Sequence, residues 1–381
     1  MNSLDKTSNA RVIAGRVTAS EHTVKIAVPV LVAGATGLVG RTIVRLLEER
    51  NFPVKQLIPA ASERSAGNIV LFRGCEIPVV PLEQALKTEP GIALFSAGSA
   101  VSKIWASRFA EAGWKVVDNS SCWRMDRRVP LVVPEINGHL LQPFHCLVAN
   151  PNCSTIQMVM ALAPLHKAFT LQRIVAATYQ SVSGSGRKGL DQLEYERQQW
   201  MAEGATPQGC NKATGSSNKA TGNSSVAKNI DSVYPYPIYG NAIPLIGDIL
   251  SDGYSEEEKK MALETRKIFN TSTIGVSATT VRVPVRGAHC VSINAQFARP
   301  FTMDKVHQLL HTFPGLSLTK NSEKQAEVAT PLEAEGTDLV YVGRVRRDVS
   351  VPNGLELWTV ADNLRKGAAL NAVQIAERLY T

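Results

Sequence analysis

Short apolar runs alternate with helically spaced apolar positions through the first part of the chain. Residues 30–33 form such a run after Pro29, a residue tolerated where a strand begins. Beyond the glycine-rich stretch from Gly34 to Gly40, Val39, Ile43, Leu46 and Leu47 recur at helical intervals. Residues 54–60, 92–97, 115–117, 131–133 and 146–149 read as further strands. Strands alternating with helices predict an α/β chain with a Rossmann-like, doubly wound parallel sheet.

Past Cys153 the texture changes. The pattern predicts a helix over 154–166, a strand over 174–179 and a Ser/Gly loop over 181–186. Ser255 and Glu258 have the spacing of a capping box. Val281, Val283 and Val285 alternate with Arg282 and Arg286, and Val291, Ile293, Ala295 and Phe297 alternate with polar residues. Both read as half-buried strands of an antiparallel-leaning sheet. A strand over 355–360 and a helix with Ala369, Val373, Ala376 and Tyr380 on one face follow. Residues 204–230 are low-complexity, with Asn211 to Ser217 nearly repeated as Asn218 to Ser224. That period has no apolar a and d positions for a coiled-coil seam, so a mobile surface loop is expected. The expected plan is a tail over 1–24, a first domain over 25–152 and a second, α+β domain over 153–361. Helix 362–381 is expected to pack back on the first domain.

Composition narrows the class. Of 381 residues 44% are hydrophobic and 19% charged, a globular balance, and no long apolar stretch predicts a membrane span. Lys and Arg number 41 against 33 Asp and Glu, a net charge of +8. The basic residues are scattered, whereas nucleic-acid binding wants basic and aromatic clusters, so an anionic small-molecule substrate is the better match. Cys75, Cys122, Cys146, Cys153, Cys210 and Cys290 show no CxxC pair or metal-ligand spacing, which predicts reduced thiols, no metal and a cytoplasmic setting. The tail has Arg11 and Arg16 among Ser and Thr, but Asp5 and Glu21 count against a transit peptide.

Gly34, Gly37 and Gly40 lie between a strand and a helix, where a backbone can approach a pyrophosphate and the helix N-terminus favours an anion. Ser62, Glu63, Arg64 and Ser65 follow the second strand. A guanidinium among hydroxyls suits a 2′-phosphate, so NADP is expected over NAD. Cys153 lies in Asn150, Pro151, Asn152, Cys153, Ser154, Thr155, at a predicted helix start that should lower its pKa. Its competing reading is a small buried hydrophobe. His289 is the candidate base; Cys290 and Cys122 are weaker candidate nucleophiles. Gln180, Arg124, Glu257 and Lys260 each have a bland reading as well: a loop amide, a surface guanidinium and a solvated i,i+3 ion pair.

Ten segments together give the chain a family likeness. GATGLVG, SERSAG, FSAG, VVDNSSCWRM, PLVVPEIN, NPNCST, YQSVSGSG, EEKKM, VRVPVRGAH and DNLRKGAALNAVQIAE occur in order. The sequence resembles aspartate-semialdehyde dehydrogenase. The resemblance implies NADP-dependent, reversible reductive dephosphorylation of 4-phospho-L-aspartate to L-aspartate 4-semialdehyde, on the route to lysine, methionine, threonine and isoleucine. It implies Cys153 as the thiol that forms a thioester, His289 as acid/base and Gln180 as the orienting amide. Arg124 and Lys260 match phosphate-binding positions, and Arg282 and Glu257 match those for the substrate carboxylate and ammonium. Thr36, Gly37, Leu38, Val39, Ser62, Arg64, Ser183, Gly184 and Asn363 match cofactor contacts. The second domain is then a substrate-binding and dimerisation domain of a homo-oligomer. Val291 stands where family members often carry Glu or Gln. The rival readings are N-acetyl-glutamyl-phosphate reductase and a non-catalytic dinucleotide-binding protein.

Overall fold

A computed structural model describes residues 26–202, 232–319 and 328–380, so the tail over 1–24 and the repeat within 204–230 lie outside the described residues. The first unit runs β1 (Val28–Ala33), α1 (Leu38–Glu49), β2 (Val54–Ala61), β3 (Ile69–Phe72), β4 (Cys75–Pro78), β5 (Val80–Pro81) and α2 (Leu82–Ala85). It continues with β6 (Ile92–Phe95), α3 (Ser99–Glu111), β7 (Lys115–Asp118), α4 (Pro134–Asn137) and β8 (Leu147–Ala149). The second unit runs α5 (Cys153–Phe169), β9 (Leu171–Gln180), α6 (Gly186–Ala202), α7 (Glu256–Ile268), β10 (Gly275–Arg282) and β11 (His289–Phe297). After α8 (Met303–Thr312), β12 (Leu316–Leu318), α9 (Pro331–Ala334), β13 (Val340–Asp348) and β14 (Gly354–Ala361), a π-helical turn over Arg365–Ala369 opens α10 (Leu370–Tyr380).

The first sheet has the order β5-β2-β1-β6-β7-β8, and every neighbouring pair is parallel. β1 is buried along its whole length, as a central parallel strand covered on both faces must be. Ile43, Leu46 and Leu47 of α1 share one core with Val373 and Ala376 of α10. On the opposite face Phe109 meets Phe95 and Trp114 edge-on, at 5.5 and 5.6 Å between centroids. The strand order reverses at β1, between β2 and β6, and ligands of such sheets bind outside the strand ends at that point.

The second sheet has the order β10-β9-β11-β14-β13-β12. Its central pairs are antiparallel, but β10 lies parallel to β9 and β12 parallel to β13, so the expected antiparallel sheet is a mixed one. Alternation records which face is buried and is silent on strand direction. Val283 and Val285 fall outside β10, because Pro284 between them has no N–H for a ladder. Residues 131–133 are likewise no strand: between Pro130 and Pro134 only the bridge Leu131–Ala149 forms. The capping box does form, Ser255 Oγ accepting from Glu258 N and Glu258 Oε2 from Ser255 N. Among the described residues no helix is long and apolar enough to cross a membrane, and no His/Cys/Asp/Glu cluster could hold a metal ion.

Candidate active site

The turn after β1 is shaped for close approach. Gly34 has φ +83°, and a Cβ there would stand 2.4 Å from the Ser96 carbonyl oxygen at the end of β6. A Cβ on Gly40 would stand 2.1 Å from Gly34 O, so the helix can pack this tightly on the loop only without one. Gly37 caps α1 with no side chain, and the first turn has no acid, so its N–H groups are left to an anion. A cleft of about 440 Å³ opens there, walled by Gly34, Thr36, Gly37, Ser62, Glu63, Ser65 and Ser96. Arg64 is exposed on the short turn Glu63–Ser65 and is not on that wall, nor are Leu38 and Gly40.

Ser96 also borders a second cleft of about 300 Å³, where the two units meet. Here the structure brings together Cys153, Gln180, Arg124, Glu257 and Arg282 with Val39, Ser183, Gly184 and Asn363. Cys153 opens α5 because Asn152 is its N-cap: Oδ1 accepts from Ser154 N at 2.9 Å and Thr155 N at 3.1 Å. The same side chain donates through Nδ2 to Glu257 Oε1 at 2.7 Å, and the Asn152 backbone N–H donates to Glu264 Oε2 at 2.7 Å. From the other side the π-helical turn presses in. A Cβ on Gly367 would lie 2.9 Å from Cys153 Cβ. Asn371 donates to Asn150 Oδ1 at 2.7 Å, fixing the strand that leads into the turn.

Arg124 is buried and braced. Its Nε donates to Asn150 O at 2.9 Å, Nη1 to Glu264 Oε1 at 2.9 Å and Nη2 to Asn119 O at 2.7 Å. A guanidinium has five N–H groups, so two remain for the cleft. Glu257 is buried, against the solvated reading, and accepts at 3.3 Å from Gln180 Nε2. Lys260 sits outside the wall, its Nζ 3.4 Å from Glu256 Oε2 and 4.0 Å from Glu257 Oε2.

The charges set the thiol differently from the sequence expectation. Burial, and then the Glu257 carboxylate, push Cys153 up to about 12, against the opposing pull of Arg124, Arg282 and the Ser154 amide. The helix start alone therefore does not make a thiolate in the ligand-free cleft. Cys290 is pushed to about 12 by burial, and Cys122 rises through burial and Asp118, so neither is a better nucleophile.

Arg282 ends β10, donates Nη1 to Ser181 O at 2.6 Å and lies 5.8 Å from the Tyr234 ring centroid. Its Nε has no partner among the described residues. His289, at the start of β11, is fully buried behind the wall. Burial, then Arg282, hold its pKa down at about 3, so in the ligand-free cleft the ring is neutral and a weak proton acceptor. Val291 is in the apolar core and gives the ring no polar partner. Sequence reasoning missed Glu264 and Ser96 and gave Asn152 no role of its own. The available signal for Glu264 was its place seven residues beyond Glu257, on the same helical line as buried Met261 and Thr265.

Two family models match the chain: "Semialdehyde dehydrogenase, NAD binding domain" over residues 29–143 and "Semialdehyde dehydrogenase, dimerisation domain" over residues 162–366. Aspartate-semialdehyde dehydrogenase of Aquifex aeolicus is 44% identical over 92% of this chain and 97% of its own length. That of Legionella pneumophila is 44% identical over 92% and 95%. A crystal structure of aspartate semialdehyde dehydrogenase II from Vibrio cholerae, complexed with ASA, matches with TM-score 0.82 at 40% identity, covering 93% of this chain and 98% of that one. The Candida albicans enzyme with NADP, 23% identical, shares the fold at TM-score 0.68 over 93% and 98%.

Proposed function

The chain belongs to the aspartate-semialdehyde dehydrogenase family, and from that premise we propose how its cleft performs the reaction. It is a phosphorylating oxidoreductase of amino-acid biosynthesis, interconverting 4-phospho-L-aspartate and L-aspartate 4-semialdehyde, and a homo-oligomer. Relatives and domains favour this activity over the N-acetyl-glutamyl-phosphate and non-catalytic readings.

The observation that supports the residue roles is the single cleft holding a thiol, two guanidinium groups, an amide and a carboxylate. Arg282, with its unpartnered Nε, takes the substrate carboxylate, and Glu257 takes the ammonium. An ammonium there neutralises the charge that otherwise opposes the thiolate. Arg124 turns its two remaining N–H groups to the phosphate, with Lys260 nearby. Cys153 Sγ gives up its proton as it attacks the acyl carbon, the C–O bond to phosphate breaks, the phosphate leaves with that proton, and a thioester remains. Gln180 orients the acyl group. Hydride added to the thioester carbonyl would give a thiohemiacetal on Cys153, whose C–S bond breaks to expel the aldehyde and return the thiol; in the reverse direction phosphate attacks the thioester.

The turn at Gly34, Gly37 and Gly40 fits a dinucleotide, which supplies the hydride; Thr36, Leu38, Val39, Ser62, Ser65, Ser183, Gly184 and Asn363 are its further seat. NADP is our choice over NAD, on Ser62, Arg64 and Ser65 at the end of β2; Glu63 beside them is the feature that favours NAD. The cytoplasm is our proposed compartment, on five free cysteines among the described residues.

Absorbance of reduced nicotinamide tests the whole reading: protein, aspartate semialdehyde and phosphate are mixed with NADP or with NAD. Phosphate-dependent NADPH formation is expected. Signal with NAD alone would overturn the cofactor choice, and none from folded protein would overturn the activity.

A further inference from the structure

Behind the cysteine lies a buried cation. Lys366 sits in the π-helical turn and is 1% exposed. Its ammonium has three N–H groups, and three side chains receive them. Glu135 of α4 accepts at 2.8 and 2.7 Å through its two oxygens, Gln374 Oε1 at 2.7 Å and Asn371 Oδ1 at 2.9 Å. Gln374 closes the ring by donating Nε2 to Glu135 Oε1 at 3.0 Å. A buried ion pair, even fully satisfied, adds little net stability over apolar residues of the same size, so its weight lies in what it orients.

What it orients is a chain of amides. An ammonium only donates, so Asn371 must turn Oδ1 toward it and Nδ2 away. That Nδ2 donates to Asn150 Oδ1 at 2.7 Å and to Val132 O at 2.9 Å. Asn150, receiving through Oδ1, keeps Nδ2 for the carbonyls of Ala368 at 3.4 Å and Pro151 at 3.5 Å. Asn150 and Pro151 lead directly into the turn that presents Cys153, and the Asn150 carbonyl takes Arg124 Nε. From the other side Gly367, next to the lysine, closes on Cys153 Cβ, and Gly367 and Ala368 wall the cleft. The π-helical ladder there runs from Gly367 N to Asp362 O at 3.1 Å and from Ala369 N to Leu364 O at 3.0 Å.

We propose that Lys366, held by Glu135, is a positioning residue for Cys153: its ammonium sets the direction of the Asn371–Asn150 relay and so holds the turn and the π-helical wall on either side of the thiol. Each amide has nearly the same shape in its two orientations, and a donor-only group at the head of the relay selects one of them. The proposal rests on the reading of Cys153 as the nucleophile given above.

The test replaces the pair by apolar side chains. Glu135→Leu with Lys366→Met removes both charges together, so neither is left buried and unpaired, and the urea midpoint should stay near that of the wild type. Asn371 then has no fixed direction. In the double variant kcat for NADPH formation should fall about tenfold, and NADPH affinity should hold within about twofold. Alkylation of Cys153 at pH 8 should quicken on the order of tenfold as its seat loosens. Alkylation reports that seat whether or not the protein turns over, so a mistaken activity and a mistaken relay are told apart. Unchanged alkylation in the folded double variant, whatever its kcat, would make the pair a merely structural one and overturn the proposal. Asn371→Asp decides the matter should the double variant not fold. It keeps both charges and an acceptor for Lys366 but cannot donate to Asn150. The same quickening is expected there, and its absence overturns the relay.

Discussion

Replacement of Glu264 by glutamine should cost about 2 kcal/mol of stability and weaken phosphate binding about tenfold. The carboxylate is 1% exposed and accepts from Arg124 Nη1 at 2.9 Å and from Asn152 N at 2.7 Å. Glutamine keeps the volume but only one oxygen. Its amide NH₂ then faces whichever donor the oxygen does not serve, leaving one buried N–H unpaired at about 1–3 kcal/mol. Alanine removes both acceptors and strands a buried guanidinium, which costs about 3–5 kcal/mol. Loosening Arg124 acts on the two N–H groups left for phosphate, and a tenfold loss there corresponds to about 1.4 kcal/mol. The assay pairs a urea midpoint with the KM for phosphate in the NADPH-forming direction. KM for NADP should stay within about twofold, since Glu264 is not on the dinucleotide wall. Wild-type midpoint and wild-type phosphate KM in Glu264→Gln would refute the assignment of weight to these two bonds.

Cys153→Ala should abolish turnover and leave NADPH binding near normal, measured by titration; equal loss of both would show damage to the fold instead. Alkylation of Cys153 in the ligand-free protein should remain slow at pH 8 and climb toward about 12, because burial and Glu257 hold the proton on; a midpoint near 8.5 would contradict that. Arg64→Glu should weaken NADPH about tenfold more than NADH in fluorescence titration, and comparable weakening of both would remove Arg64 as reader of the 2′-phosphate. For acid stability the sign follows from a folded value depressed from 6.5 to about 3 at His289. Between those values the unfolded chain binds a proton that the folded one does not, so stability present above pH 6.5 is lost as pH falls. His289→Asn should flatten that slope in urea titrations from pH 7 to pH 4, and an unchanged slope would count against a neutral ring.

The parallel sheet was legible because its strands, buried on both faces, are continuous apolar runs such as β1 and β6, and glycine marks the first turn. The capping box at Ser255 was legible because it is local chemistry. Strand direction in the second sheet was not, since the alternation in β10 is the same whether its neighbour runs parallel or antiparallel. In the site, Cys153, Arg124, Gln180, Glu257 and Arg282 were nameable through family likeness, yet the bare spacing of Glu257 and Lys260 suggests a surface pair. Glu264 escaped because a single acid on an otherwise charged helix announces nothing until its partners, 140 and 112 residues away, are known. The thiol was misjudged for a related reason. A helix start is visible in sequence, whereas the burial and the carboxylate that outweigh it are properties of the assembled cleft.

The turn that presents Cys153 is completed by residues made long after it. Asn150 is tied to Ala368 and Asn371, 218 and 221 positions downstream, and Gly367 closes over the cysteine itself. On a ribosome the nucleophile therefore emerges early and waits, its seat unfinished, while the whole second sheet is synthesised. Only when the π-helical turn and α10 leave the exit tunnel and dock on the first sheet can the thiol meet its surroundings. Chains interrupted anywhere before that point carry the cysteine without the guanidinium, amide and carboxylate groups of the finished cleft, so incomplete translation products cannot turn over the substrate.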